Sequence, residues 1–190
     1  MQKAFFAACL VTAGLAVVGA QTKPPAPQAP VDFTTTVQLT GPMGGAATNL
    51  DIHIDRYLTD KERTPLVDAL KKGYAAFVPA LKQSPAIGYV KVKDQKWDLR
   101  WAQQETVNLK QTITIATATP IYFVGAGRAD AKPKEGYDLG VIRLEVDTIG
   151  LGKGDFWPAA RVKATPNGQG VQIDDYGGQA APITSVRRLI

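Results

Sequence analysis

The chain contains one histidine, His53, one cysteine, Cys9, and two serines, Ser84 and Ser185, in 190 residues. Each scarcity closes off a chemistry. One histidine must serve any charge-relay triad, and neither serine sits in a G-x-S-x-G elbow, so nucleophilic serine catalysis has no complete set of residues. Cysteine-based zinc and iron–sulfur centres need several thiolates, and the single thiol belongs to an apolar leader. No stretch after residue 20 is apolar enough to span a membrane, and no internal repeat divides the chain.

What the sequence does have begins with that leader. In MQKAFFAACLVTAGLAVVGAQT, Lys3 precedes a short apolar run that ends in small residues, the pattern of a signal peptide with Val18 and Ala20 at the positions before the cleavage site. Cleavage after Ala20 is expected. The alternative, lipid anchoring at Cys9 after Phe6-Ala7-Ala8, leaves almost no hydrophobic region before the cysteine. Cleavage after Ala20 leaves 170 residues with 21 basic and 17 acidic side chains, a net charge of +4, and no cysteine for an intramolecular disulfide. A chain of about 150 residues buries about 70% of its unfolded surface and needs no covalent staple. The expected location is therefore periplasmic or extracellular. Mild basicity outside the cell suits an anionic envelope surface or an acidic glycan rather than nucleic acid.

Residues 21–30, QTKPPAPQAP, carry four prolines and read as an extended spacer, which leaves 31–190 as a single β-rich domain. Alternation dominates it. Phe33, Thr35, Val37 and Leu39 fall on one face of a strand, and Val107, Leu109, Ile113 and Ile115 on one face of another. Further strands are expected near 87–93, 97–102, 121–124, 139–147, 156–164, 171–176 and 183–188. Asn167-Gly168 marks a hairpin turn. The helical pattern is confined to residues 59–83, where Leu66, Leu70, Tyr74, Phe77 and Leu81 share one face. Thr59 to Glu62 spells a capping box, and Gly73 after Lys71-Lys72 reads as a stop, which predicts two short helices. Pro65 and Pro79 complicate this reading, because each would cost about 3 kcal/mol inside an uninterrupted helix. The first helix has an alternative start at Pro65, capped by Thr64.

NLDIHIDRYLTDKER, IGYVKV, TATPIYF and YDLGVIRLEVD, in that order, resemble a group of uncharacterised secreted bacterial proteins sharing a domain of unknown function. The resemblance covers most of residues 47–188. It implies a shared fold and export. It brings no activity, substrate, cofactor or catalytic residue that can be carried over.

Three stretches attract functional readings. In NLDIHID, Leu50, Ile52 and Ile54 take one face of a strand, while Asp51, His53 and Asp55 take the other. Alternate residues lie roughly 7 Å apart and Asp51 and Asp55 roughly 13 Å apart, so one metal cannot reach both aspartates. A solvated or locally hydrogen-bonded face is favoured over a metal site or a catalytic His53, and no metal or other cofactor is expected. DTIGLGKGDFW, residues 147–157, alternates glycines around Lys153 but lacks the spacing of a phosphate loop and the aspartate ladder of a calcium loop, and reads as a glycine-rich hairpin loop. VKVKDQKWDLRW, residues 90–101, mixes cations with indoles. Strand phase separates Trp97, Leu99 and Trp101 from Asp98 and Arg100, which points to core tryptophans, with a Trp-lined sugar or lipid contact as the alternative.

The expected architecture is α+β: mainly an antiparallel β-sheet or sandwich, with the helical pair of residues 59–83 over one face or open end. The expected function is a non-catalytic exported binding or interaction module. A carboxylate-dependent hydrolase with His53 as helper is the alternative, for which Asp51, His53 and Asp55 are the candidate residues.

Overall fold

A computed structural model describes residues 30–41, 44–123, 135–175 and 180–189. The leader with Cys9 and almost all of the proline-rich spacer lie outside the described residues. Among the described residues, nine strands and two helices follow in the order β1 (Val31–Gly41), β2 (Gly44–Ile54), α1 (Asp60–Lys72), α2 (Tyr74–Gln83), β3 (Gly88–Val92), β4 (Gln95–Val107), β5 (Lys110–Thr117), β6 (Leu139–Val146), β7 (Leu151–Ala164), β8 (Val171–Asp175) and β9 (Ala181–Leu189).

The antiparallel β content is as expected, but the sheet does not stay open or split into a sandwich. Neighbours run β6-β5-β4-β3-β2-β1-β9-β7, and β7 pairs back onto β6, which closes an eight-stranded antiparallel barrel. Closure depends on β7 offering both edges: Gly154 lies opposite Leu144 of β6 on one side and Ile183 of β9 on the other. Alternation records which face a residue takes but not which strand lies beside it, so a barrel and a sandwich read alike in sequence.

The barrel is filled by side chains. Phe33 and Thr35 of β1 lie opposite Ile52 and Leu50 of β2, Val37 and Leu39 share their face, and Val90, Leu99, Ile113, Ile142 and Phe156 continue the lining. Outward positions such as Asp51, Lys91, Arg143 and Glu145 are polar. A membrane-spanning barrel has the opposite arrangement, with an apolar outside. Among the described residues no helix is long and apolar enough to cross a bilayer.

Two sequence expectations fail at turns. Val107 and Leu109 do not join Ile113 and Ile115 in the core, because Asn108 and Leu109 form the β4–β5 hairpin turn, both with positive φ, and Leu109 is 75% exposed. The glycine-rich stretch 147–157 is a loop only as far as Gly150, where Asp147 Oδ1 accepts from the Ile149 and Leu151 amides; Gly152 and Gly154 are strand residues of β7. The expected strand at 121–124 is irregular at Ile121 and Tyr122, Phe123 makes an isolated β-bridge, and Val124 lies outside the described residues.

The helices start and stop where their caps place them. Thr59 Oγ1 accepts from the Glu62 amide at 3.4 Å, and Glu62 accepts from the Thr59 amide at 3.0 Å, so both halves of the capping box are made. Gly73, at φ +140°, separates α1 from α2. The helix does not begin at Pro65: Thr64 donates to the Asp60 carbonyl from inside the first turns. Both Pro65 and Pro79 are exposed, so the carbonyls their rings leave unpaired can turn to water.

Arg56 adds a partner that the sequence pattern did not reveal, donating to both Glu62 oxygens at 2.8 and 2.7 Å. Arg56 and then Thr59 hold the Glu62 carboxyl down at about 2. A depressed carboxylate stabilises the fold above its ordinary range, and the contribution is lost as pH falls through that range toward about 2. Glu62→Gln is therefore expected to narrow the gap between neutral and acid stability in urea melts taken from pH 7 to pH 2. Thr59→Ala should cost about 1 kcal/mol at neutral pH and Thr64→Ala much less.

Candidate functional site

His53 lies on the outer wall of the barrel, and the structure gives it different neighbours from those adjacent in sequence. Its Nδ1 meets Asp32 Oδ1 of β1 at 2.6 Å, its Nε2 meets Asp55 Oδ1 at 3.0 Å, and its ring stacks on Tyr89 of β3 with centroids 5.0 Å apart. Asp32 comes across from β1 because Asp32 and His53 are register partners. Asp51 is not part of the group; it accepts from Thr34 at 2.9 Å. Of the three sequence candidates, His53 and Asp55 are brought together, and Asp32 is the member that only strand pairing could reveal.

The chemistry of this cluster follows from its geometry. Both ring nitrogens face carboxylates, so the imidazolium form is favoured: the Asp32 bond raises the His53 pKa most, burial opposes it, and Asp55 adds to the rise. An imidazolium has no lone pair for a metal. Among the described residues no three histidine, cysteine, aspartate or glutamate side chains are grouped to hold an ion. Because the folded state binds the proton more tightly than the unfolded chain, the stabilisation is full below the ordinary histidine value and fades as pH rises through the raised one. His53→Gln should therefore lose up to about 1 kcal/mol at pH 5.5 and less at pH 9, as measured by paired denaturant titrations.

A deeper feature lies on the opposite side of β4. At Leu99 this strand is in phase with the barrel interior, opposite Thr117, but a register shift follows and Trp101 pairs with Ala116 on the outer face. Trp97, Leu99 and Trp101 thus do not share one face. Trp101 is nonetheless completely buried, because Phe77 of α2 meets it edge-on at 6.5 Å. The helical pair therefore covers part of the outer wall instead of plugging the barrel.

Beyond the shift, residues of successive strands line up in outward rows. Trp101, Ala116, Val141 and Trp157 make one row; Gln103, Thr114 and Arg143 make the next; Glu105 and Thr112 begin a third. The second half of β7 leaves the barrel and pairs with β8, and Asn167-Gly168 lies in the turn between them as expected. This two-stranded arm folds over the rows. A groove of about 360 Å³ remains beneath it, floored by Gln103, Glu105, Thr112, Thr114 and Arg143 and walled by Trp157, Val162, Val171 and Ile173. The arm approaches so closely that a Cβ on Gly170 would lie 2.7 Å from Gln103 Oε1. Gln103 is buried and donates through Nε2 to Glu105 at 2.9 Å. Sequence reading missed the groove because its residues come from five strands and none forms a recognisable motif.

No family model matches the chain, and neither a curated protein nor a solved structure matches it.

Proposed function

We propose that the protein is an exported, non-catalytic binding module, related to the secreted bacterial proteins it resembles, and that the arm groove takes a neutral sugar residue of an envelope or extracellular glycan. The observation that carries the reading is the groove's composition: an amide, a carboxylate, a guanidinium and two threonine hydroxyls on the floor, with the Trp157 indole beside them. Amide, acid and guanidinium groups satisfy sugar hydroxyls, and an indole accepts the apolar face of the ring. The volume falls in the range of about 300–1,000 Å³ common for small-ligand sites. Glu105 and Arg143 cancel in charge, which favours a neutral ligand here. The leader sequence supports export.

A panel of neutral oligosaccharides tested by thermal shift is the direct experiment. A true ligand at about one hundred times its Kd should add about 2.7 kcal/mol of stability. Glu105→Gln and Arg143→Ala should each weaken it about tenfold, equivalent to about 1.4 kcal/mol. Shifts that persist unchanged in both variants would remove the groove from the proposal. The alternative of a carboxylate-dependent hydrolase draws support from the Asp32, His53 and Asp55 cluster, whose two carboxylates raise the proton affinity of the ring, as suits a proton donor. Glycoside or ester hydrolysis abolished by His53→Gln would favour it over binding alone.

A further inference from the structure

VKVKDQKWDLRW, which strand phase divides into core indoles and solvent charges, is partly reunited at the far end of α2. A pocket of about 310 Å³ there is lined by Lys82, Lys96, Trp97, Asp98, Arg100 and Thr119. The reunion has a structural cause. Arg100 is the residue at the register break between Leu99 and Trp101, and Lys82 is delivered by the last turn of α2.

The cations are largely positioned in advance. Arg100 donates to the Ser84 carbonyl just beyond α2 and lies 3.5 Å from Asp98 Oδ2. Lys96 Nζ sits 3.8 Å from the centre of the Tyr89 ring, the same ring that stacks on His53. Among the described residues neither Lys82 nor Lys96 has a carboxylate partner. Three cations therefore face one acid, and two of them, Arg100 and Lys96, are already held in place to receive an anion.

We propose that this pocket binds a small acidic sugar, with its carboxylate among Lys82, Lys96 and Arg100 and its ring against Trp97. Asp98 decides between a sugar and a bare anion. An isolated phosphate would meet repulsion from the Asp98 carboxylate, whereas a sugar can donate a hydroxyl to it while its own charge lies with the cations. The half-buried indole of Trp97 offers a ring face that a bare anion does not need. This site is separate from the arm groove and does not depend on it.

The test follows the indole N–H resonance of Trp97, assigned with Trp97→Phe, while the full chain is titrated with glucuronate, glucose and inorganic phosphate. Glucuronate should shift the resonance saturably and glucose should bind at least about tenfold more weakly. Added salt should weaken the glucuronate response. The exposed double variant Lys82→Gln/Lys96→Gln, checked for folding by its spectrum, should lose about tenfold or more in affinity. Four results would overturn the proposal: glucose shifting the Trp97 signal as strongly as glucuronate, phosphate binding more tightly than glucuronate, undiminished binding in the double variant, or no saturation by about 10 mM.

Discussion

Trp101→Ala should lose about 3–5 kcal/mol in urea or thermal melts, the range for removing a fully buried large aromatic and leaving its cavity. The residue is wholly buried although it belongs to the outer side of the barrel wall, so its stability comes from the helical layer and from Phe77 in particular. That origin can be measured separately. In a double-mutant cycle, Phe77→Ala and Trp101→Ala should be coupled by about 0.5–1.5 kcal/mol, as edge-on aromatic pairs are. Trp101→Phe should cost much less than Trp101→Ala, because it keeps most of the packing and removes an indole Nε1–H that has no acceptor among the described residues. Additive losses at Phe77 and Trp101 would mean that the two rings are not coupled and that the burial of Trp101 does not depend on Phe77.

Gly154→Val is expected to be at least as damaging. A Cβ at this position would fall on the carbonyl oxygen of Arg143, and one at Gly152 on that of Glu145, so both obstacles are backbone and cannot swing aside. Overpacking usually costs about 1–3 kcal/mol, and an obstacle in the partner strand's own backbone places this change at or above the top of that range. The β6–β7 seam closes the barrel, so the loss should appear as a lower midpoint of the whole unfolding transition rather than as local fraying. Gly45→Ala is the internal control. Its nearest neighbour would be the Leu39 carbonyl at 3.7 Å, and the change should fall within about 0.5 kcal/mol of wild type. Equal effects at Gly45 and Gly154 would show that the two strands do not approach this closely.

Local chemistry made much of the fold legible. Thr59, Glu62 and Gly73 set the helix ends through bonds spanning three or four residues, and Ile52 with Ile54 placed the core face of β2 correctly, leaving Asp51 and His53 outside. Where the reading failed, a single residue had broken a period. At Asn108-Leu109 the alternation of apolar residues continued through a turn, and Leu is not the glycine that usually announces one. At Arg100 one extra residue reversed the phase of everything after it, which moved Trp101 to the other side of the wall. The sites were less legible than the fold, because their members meet only through pairing: Asp32 reaches His53 from the neighbouring strand, and Glu105, Arg143 and Trp157 meet under an arm whose folding over the wall no local pattern encodes.

The position of β9 has a consequence for how the molecule assembles. Among the described elements, β9 is inserted between β1 and β7, with Val37 and Gly154 both opposite Ile183. Pairings between segments as far apart in sequence as β1 and β9 carry a large loop-closure entropy and raise contact order, so this insertion belongs to the late, slow part of folding. Until it occurs, β1 and β7 each present an unpaired edge that fits the same segment. The β9 of another molecule fits as well as the chain's own, so concentrated refolding should yield strand-exchanged dimers, and a chain ending before Ala181 should expose both edges and associate.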